Sequence, residues 1–404
     1  MAPMLRRTTP AGLGILTHNN PNSSAVAIQV WVRVGSADEL PGEFGLAHVH
    51  EHMLFKGTAR RGVGEIAAEI EAAGGEVNAY TSYDQTVYHV TMSARFFGAG
   101  LDVLADAIQN SAFDPEELGR ELEVVVEEIR RGDDTASRVA SKRLFHTAYT
   151  SHAYSRPVIG TEGSVRSFTR DGILAFYRRW YTAKNIVVVA VGGIDEVEAA
   201  DAIEAAFTHL PAGEPGPERP AEPDWSGLRF DRQTSRFTQS QVYLGFPVPD
   251  GRHPDVPALD VLAMALGQGE SSRLHRILRR ERGLVNGVGA SAYTPRDAGL
   301  FIASANLAVG DATVAFEALA DEVARIVREP LSSTELEKAR AVVESQRIYE
   351  RESVGGQARK LGYYELLGGG WEEEERYLIA VRALTPEAIR AVAARYIRPD
   401  RAIV

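Results

Sequence analysis

The chain has 404 residues, of which 44% are hydrophobic and 25% charged, and its formal net charge is −11. These values are typical of a globular protein with room for two domains of about 200 residues each. The acidic charge argues against nucleic acid and anionic membranes as partners, because both bind basic surfaces.

The sequence contains no cysteine, which excludes disulfides, thiolate metal ligands and a cysteine nucleophile. No stretch approaches the roughly 18 consecutive apolar residues that a membrane-spanning helix needs. The first twenty residues include two arginines but lack the apolar core of a signal peptide. We therefore expect no membrane span, no targeting segment and a cytoplasmic location.

The N-terminal half mixes strand and helix patterns. Apolar stretches predict strands at residues 25–36 and 86–93, and helical spacing predicts amphipathic helices at residues 64–75 and 100–113. Strands interleaved with covering helices predict an α+β fold. We expect two homologous domains, each a mostly antiparallel sheet with helices packed on one face.

A proline-rich segment separates the two halves of the chain. Five prolines occur between Pro211 and Pro223, a density that neither a helix nor a central strand tolerates. We predict an inter-domain linker at residues 211–228, between an N-terminal domain at residues 1–210 and a C-terminal domain at residues 229–404.

The two halves also resemble each other. The segment that starts at Ser167 aligns with the segment that starts at Ala383, at a constant offset of 216 residues. In both copies a threonine, Thr169 or Thr385, precedes an amphipathic helix that leads into an apolar strand. A constant offset without gaps indicates a duplicated α/β unit.

The stretch GLAHVHEHMLFKGT, residues 45–58, contains a candidate metal site. On a helix, His48 and His52 are one turn apart on the same face, within reach of one tetrahedral ion. Glu51 lies beside them, where a carboxylate could take the proton from a metal-bound water. His50 points away and is left out. This H-x-x-E-H order alone leaves two interpretations open, a metal site or a polar helix face in solvent.

A catalytic zinc site needs a third protein ligand, with the fourth position left for water. The stretch ELEVVVEEIRR places Glu121 and Glu128 seven residues apart, on one face of a second predicted helix. Two inward-facing carboxylates beside packed valines require a positive charge to meet them. The best local candidates for the third ligand therefore lie in this stretch, at Glu121 and Glu128.

The sequence resembles the pitrilysin or insulinase-type zinc peptidases, the inverzincins, and among them the shorter branch that includes the mitochondrial processing peptidase beta subunit and bacterial homologues. The resemblance covers nearly the whole chain, in the stretches GSADELPGEFGLAHVHEHMLFKGT, GGEVNAYTSYDQTVYHVT, ELEVVVEEI, YTAKNIVVVAVGGID and SSRLHRILRRERGLV. It implies a zinc endopeptidase that hydrolyses unstructured peptides.

The resemblance also implies a role for individual residues. His48, His52 and Glu128 would hold one Zn2+ per chain, and Glu51 would be the general base that deprotonates the zinc-bound water. Glu121 would orient a ligand histidine from behind. The residues implied for substrate binding are Asn78, Ala79, Tyr80 and Arg279. The first three match an edge strand that in this family pairs with an extended peptide.

One position departs from the family pattern. The family carries a tyrosine seven residues after the arginine that matches Arg279, and here that position is Asn286. The resemblance therefore implies a paralogous partner subunit, without the zinc motif, that supplies an arginine and a tyrosine. One alternative is a self-sufficient homodimer in which another residue, such as Tyr293, replaces the tyrosine. Another is a non-catalytic scaffold, although such members lose the ligands and the base that this chain keeps.

Overall fold

The computed structural model describes residues 4–214, 216, 218–223, 225–308 and 312–404. These residues form two compact units, each built from three separate segments of the chain. Unit 1 consists of the described residues within Met1–Arg130, Arg156–Arg219 and Tyr349–Trp371. Unit 2 consists of those within Arg131–Ser155, Pro220–Ile348 and Glu372–Val404.

The predicted linker, residues 211–228, contains one of the points where the chain passes from unit 1 to unit 2, directly after Arg219. Its described residues include no helix and no strand. The residues of the predicted linker that lie outside the described part of the chain are Pro215, Pro217 and Asp224.

The chain also passes between the units at places that no sequence pattern indicated. Residues 131–155 belong to unit 2, although they precede the linker. Residues 349–371 belong to unit 1, although they follow most of unit 2. The simple division into residues 1–210 and 229–404 stays a prediction.

Unit 1 contains a six-stranded sheet with the order β1-β2-β6-β3-β5-β4. Its strands are β1 (Met4–Thr8), β2 (Gly14–Asn19), β3 (Ala25–Val32), β4 (Glu76–Thr81), β5 (Thr86–Ser93) and β6 (Ile186–Gly192). All neighbouring pairs are antiparallel except β2 with β6. Strand β6 is buried along its whole length, as expected for a central strand with both faces covered. Strand β4 lies at the edge and, within the described residues, pairs with β5 alone.

The predicted elements of this half agree with the structure. Strand β5 coincides with the predicted strand at residues 86–93. Strand β3 ends at Val32, four residues before the predicted end, because residues 36–38 form a 3-10 turn instead.

Helices surround both sheets. In chain order they are α1 (Leu46–Leu54), α2 (Glu65–Ala72), α3 (Phe97–Asn110), α4 (Pro115–Asp133), α5 (Ala136–Ala148), α6 (Glu162–Arg166), α7 (Arg170–Trp180), α8 (Glu196–Ala206), α9 (Val256–Gly267), α10 (Ala312–Arg328), α11 (Ser333–Glu350), α12 (Val354–Tyr363), α13 (Glu373–Ala383) and α14 (Pro386–Tyr396). Two short π-helical segments also occur, at His275–Glu281 in unit 2 and at Tyr364–Gly368 in unit 1.

The sheet of unit 1 has a hydrophobic core on each face. On one face, α1, α3, α4 and α7 contribute Val49, Leu104, Val125 and Phe176 to a single buried cluster with β3 and β5. The opposite face is covered by α12, a helix that is distant in sequence and packs against Trp31. The main layer of helices therefore lies on one face, and one later helix closes the other.

Unit 2 repeats this arrangement on a smaller scale. Its sheet has the order β7-β9-β8, with β7 (Gln239–Val248), β8 (Gly287–Tyr293) and β9 (Gly299–Ala308) all antiparallel. Helices α9, α10, α11, α13 and α14 contribute to one buried cluster with these strands.

The duplication is visible in the strand pairing. Helix α14 (Pro386–Tyr396) has the bounds of α7 (Arg170–Trp180) shifted by 216 residues at both ends. In unit 1, Val187 on β6 is parallel to β2 and antiparallel to β3. At the equivalent position in unit 2, Ile403 bridges Arg229 in parallel and Gly245 on β7 in antiparallel. The predicted α+β fold of two homologous, mostly antiparallel halves is thus confirmed.

Candidate metal centre

Helix α1 begins at a fixed point. Its N-cap, Gly45, has a φ of 99°, and a Cβ there would lie 2.7 Å from the carbonyl oxygen of Ile159 and 2.8 Å from Cα of Gly160. Only glycine fits this close approach of two backbones. The buried carboxylate of Glu39 accepts hydrogen bonds from the backbone N–H groups of Gly45 and Ala47, both at 2.9 Å. The start of the helix is therefore set by a carboxylate that satisfies two of its free donors.

The predicted ligands converge. His48 and His52 leave the same face of α1, with ring centroids 4.7 Å apart. The Nε2 atom of each lies 3.9 Å from Oε2 of Glu128, which α4 supplies. The ligand atoms of the three residues all lie within 4.8 Å of one another. Two imidazoles and one carboxylate at this spacing fit a divalent zinc ion, with a fourth position left open for water.

Glu121, one of the predicted residues, stands behind His52. Its Oε2 lies 3.1 Å from Nδ1 of His52, and its Oε1 forms an ion pair of 2.6 Å with Nζ of Lys56. When Nδ1–H donates to Glu121, the lone pair of Nε2 faces Glu128 and is free for a metal. Burial alone would raise the pKa of Glu121, but the hydrogen bonds from His52 and Lys56 lower it, so the carboxylate stays ionised.

The two histidines have different electrostatic surroundings. Burial, helped by the neighbouring His52, lowers the pKa of His48 to about 3, which keeps its imidazole neutral and able to ligate. Burial also acts to lower the pKa of His52, but the hydrogen bond to Glu121 and the nearby carboxylates raise it. The negative charge that favours a proton at His52 equally favours a metal cation, and the two compete for the ring.

The predicted base, Glu51, is held by a residue of the sheet. The hydroxyl of Thr81, the last residue of β4, donates a hydrogen bond of 2.6 Å to Oε2 of Glu51. Burial raises the pKa of Glu51, the Thr81 hydrogen bond and the charge of His52 oppose this, and Glu128 adds to it. A carboxylate with a raised pKa is better matched to accept a proton near neutral pH.

The strand predicted to bind substrate is β4, which lies at one edge of the sheet in unit 1. Asn78, Ala79 and Tyr80 lie in the middle of β4, opposite residues 87–89 of β5. Asn78 is exposed, and its Oδ1 accepts a hydrogen bond of 2.8 Å from the N–H of Ala79. Tyr80 packs its ring edge-on against Trp31, with centroids 6.3 Å apart. Because β4 has one partner strand within the described residues, its outer edge offers backbone groups to an added strand.

The other predicted residues belong to unit 2. Arg279 lies in the π-helical segment and is exposed, and its guanidinium donates a hydrogen bond of 2.9 Å to Glu270. Asn286 is exposed and immediately precedes β8. Tyr293, at the end of β8, packs edge-on against Phe145. The substrate-binding role of Arg279 stays a prediction.

His50, which the spacing left out of the site, is a core residue. It is fully buried, and its ring lies 4.3 Å from that of Tyr181 and 5.1 Å from that of Phe113. Its Nδ1 is 3.5 Å from the hydroxyl of Tyr88, and burial lowers its pKa to about 3. It therefore packs as a neutral ring on the opposite side of α1 from the ligands.

Sequence reasoning missed two residues of the site. Thr81, which holds Glu51, is the first of several polar residues at the end of β4, and no sequence spacing distinguishes it from its neighbours. Lys56, which pairs with Glu121, follows His52 by four residues. That spacing could have suggested a shared face, but α1 ends at Leu54.

Comparison with known proteins places the chain in a family. Residues 14–162 match Insulinase (Peptidase family M16), and residues 167–343 match the Peptidase M16 inactive domain. An uncharacterized zinc protease of Streptomyces coelicolor is 31% identical over 397 residues, which cover 96% of this chain and 86% of that protein.

Solved structures of similar proteins have the same fold. A protease from Helicobacter pylori has a TM-score of 0.95 and 25% identity, and the match covers 100% of this chain and 98% of that one. A peptidase M16 inactive domain from Pseudomonas fluorescens has a TM-score of 0.91 at 20% identity, covering 99% and 96%, which shows a shared fold.

Among the described residues, no helix is both long and apolar enough to cross a membrane. The expected cytoplasmic location stays a prediction.

The family match in both halves, together with the near full-length similarity to a protein named as a zinc protease, establishes the relationship. The chain belongs to the insulinase family of peptidases, peptidase family M16.

Proposed function

We propose that this chain is the catalytic subunit of a zinc metalloendopeptidase that hydrolyses unstructured peptides. The observation that carries the proposal is the convergence of His48, His52 and Glu128, whose ligand atoms lie within 4.8 Å of one another. Helix α1, which carries both histidines, also carries Glu51, a carboxylate whose pKa is raised. A metal ligand set with an adjacent base is the arrangement that peptide hydrolysis needs.

Each residue of the site has a part in the proposed reaction. Zinc, when bound, would polarise the scissile carbonyl and make water more acidic. Glu51 takes a proton from the attacking water and later returns it to the leaving amine. Thr81 holds the Glu51 carboxylate in place, and Glu121 fixes the ring of His52. An extended peptide pairs with the outer edge of β4, which presents its backbone irrespective of side chains.

We also propose that a partner chain completes the enzyme. The family resemblance places a tyrosine where this chain has Asn286, so a phenol donor for the developing oxyanion is missing at that position. A paralogous subunit without the zinc motif would supply an arginine and a tyrosine. A homodimer in which another residue replaces the tyrosine is the alternative within the same chemistry.

The test of the peptidase function is Glu51→Gln. The amide keeps the size of the carboxylate but cannot accept a proton, so the variant should bind zinc as the wild type does and lose hydrolysis. We expect kcat to fall by about 10²–10⁴-fold. The matched control is Glu127→Gln, a change at an exposed carboxylate next to the ligand Glu128 on α4.

The outcomes separate the candidate functions. Zinc binding with lost hydrolysis in Glu51→Gln and normal hydrolysis in Glu127→Gln supports the peptidase. A wild-type chain that hydrolyses no peptide, alone or with a partner, would instead support a scaffold.

A further inference from the structure

We propose that Arg219, in the proline-rich linker, is a positioning residue for the base Glu51 and for edge strand β4. This inference rests on the proposed peptidase function, because it gives Arg219 a part in the same reaction. The guanidinium lies between the carboxylates of Asp38 and Asp84. All three side chains are buried, with 5%, 3% and 6% of their surfaces exposed.

Arg219 contacts both carboxylates through charge-assisted hydrogen bonds. Its Nε and Nη2 donate to the two oxygens of Asp38, each at 2.8 Å. Its Nη1 donates to Oδ1 of Asp84 at 2.5 Å. The planar fork of arginine can bind one carboxylate with two parallel bonds and still reach a second, which a lysine cannot do. The side chain therefore fixes the spacing between the two segments that carry these aspartates.

The first of these segments precedes α1, the helix that carries Glu51. Asp38 ends the 3-10 turn at residues 36–38, and the next residue, Glu39, caps α1 through the N–H groups of Gly45 and Ala47. Asp38 also accepts a hydrogen bond of 2.9 Å from the N–H of Gly35. Asp38 is therefore joined through Glu39 to the start of α1, the helix that carries Glu51.

The second segment is the turn that joins β4 to β5, which contains Asp84. Two backbone hydrogen bonds already tie it to the 3-10 turn, from Ser36 N to the oxygen of Ser82 at 3.1 Å and from Ala37 N to the oxygen of Tyr83 at 2.9 Å. Arg219 joins the same two segments through the side chains of Asp38 and Asp84.

The hydrogen bond between Thr81 and Glu51 depends on this junction. Thr81 is the last residue of β4 and stands directly before the turn, so its hydroxyl moves with the turn. Glu51 moves with α1. Arg219 links the segment before α1 to the turn after β4. We infer that this link keeps the Thr81 hydroxyl within hydrogen-bond distance of Glu51. The proposed ligands His48, His52 and Glu128 lie on α1 and α4, whereas the contacts of Arg219 with Asp38 and Asp84 join the start of α1 to the turn after β4, so zinc binding should not require Arg219.

The experiment starts from two variants that remove the guanidinium. Arg219→Met removes the guanidinium from between two buried carboxylates, which is strongly destabilising in general and threatens folding. The double variant Arg219→Met/Asp84→Asn removes one of those charges and keeps the fold testable. The control is Arg166→Met, which breaks an exposed ion pair with Glu123 in the same unit.

Three quantities are measured in each variant: zinc content, kcat and KM on a peptide substrate, and hydrogen exchange of the amides at residues 36–37 and 82–86. In the double variant we expect full zinc content, kcat reduced at least tenfold, and faster exchange confined to those amides. Arg219→Lys should recover part of kcat, because it restores charge but not the fork. The control should match the wild type.

The inference is overturned if the double variant keeps wild-type kcat, or if its exchange at residues 36–37 and 82–86 is unchanged. It is also overturned if kcat falls only in proportion to lost zinc. Should the wild type hydrolyse no peptide, alone or with a partner chain, the proposed function fails by itself. The exchange measurement still decides whether Arg219 holds the turn between β4 and β5.

Discussion

In the proposed metal site, the contact with Glu121 distinguishes His52 from an ordinary surface histidine. Its carboxylate is 3.1 Å from Nδ1 of His52 and is itself held by Lys56. Such a partner fixes the tautomer and orientation of the ligand ring, and its removal typically weakens metal binding by about 10–100-fold.

We therefore expect Glu121→Gln to lower zinc affinity by about 10–100-fold while leaving the fold intact. The amide can present its NH2 group to Nδ1 and favour the wrong tautomer. Affinity is measured by competition with a chromophoric chelator. Glu123→Gln, at an exposed position of the same helix, serves as the control. Equal affinity in Glu121→Gln and the wild type would contradict the role of Glu121.

Gly45 allows a test of how the start of α1 is held, and Gly42 in the same loop is a matched control. Both Gly42 and Gly45 have a positive φ, 92° and 99°, but nothing lies within 4 Å of a Cβ at Gly42. Alanine at Gly42 therefore costs only backbone strain, about 1 kcal/mol. Alanine at Gly45 adds a clash with the backbone of residues 159–160, so we expect a loss of about 3 kcal/mol or more.

Urea unfolding of Gly42→Ala and Gly45→Ala measures this difference in the free energy of unfolding. Two equal losses would show that the start of α1 can move away from residues 159–160. In that case the position of His48 would not depend on the close approach at Gly45.

The proline-rich linker is anchored on both sides of the point where it leaves unit 1. Arg219 is buried within unit 1, and Glu222 is buried within unit 2. Glu222 accepts hydrogen bonds from the backbone N–H groups of residues 150–152 and from the hydroxyl of Thr150. A segment that composition alone describes as a linker thus carries two specific anchors.

The pKa of Glu222 gives this anchor a predictable pH dependence. Burial alone would raise that pKa, but the backbone and hydroxyl donors lower it from 4.5 to about 2. Because the folded-state pKa is depressed, the carboxylate stabilises the fold fully above pH 4.5 and loses this contribution as the pH falls towards 2.

The variant Glu222→Gln should therefore be destabilised by about 2–3 kcal/mol at pH 7, and the difference from the wild type should shrink below pH 4.5. Denaturant unfolding at a series of pH values measures it. Glu214→Gln, at an exposed position of the same linker, should show no such difference. A pH-independent loss in Glu222→Gln would mean that shape, not charge, holds the anchor.

For the whole molecule, the position of Asn286 predicts dependence on a partner. The isolated chain should bind zinc but cleave peptides poorly, and activity should appear when a homologue with the missing arginine and tyrosine is added. Peptide hydrolysis by a rigorously purified chain, with and without that homologue, measures this. Full activity of the purified chain alone would favour a self-sufficient enzyme.

The sequence predicted those parts of the molecule that depend on local periodicity and on spacing within one helix. The i, i+4 spacing of His48 and His52 and the seven-residue spacing of Glu121 and Glu128 both place side chains on one face, and α1 and α4 have those faces turned to each other. Strand β5 follows from its apolar pattern in the same way.

The sequence did not predict contacts that depend on tertiary packing. Thr81 meets Glu51 only because β4 ends beside α1, and Arg219 meets Asp38 only because the linker folds back onto unit 1. Helix α12 covers the far face of the first sheet from a position some 350 residues along the chain. Its pattern shows an amphipathic helix but not the sheet that it covers.

A crystal structure of the zinc-loaded chain, with diffraction data collected at the zinc absorption edge, tests the proposed metal site most directly. We predict one strong anomalous peak per chain, about 2.0–2.2 Å from Nε2 of His48, Nε2 of His52 and a carboxylate oxygen of Glu128. A peak at any other group of residues, or no peak in crystals grown with equimolar zinc, would contradict the assignment of this site.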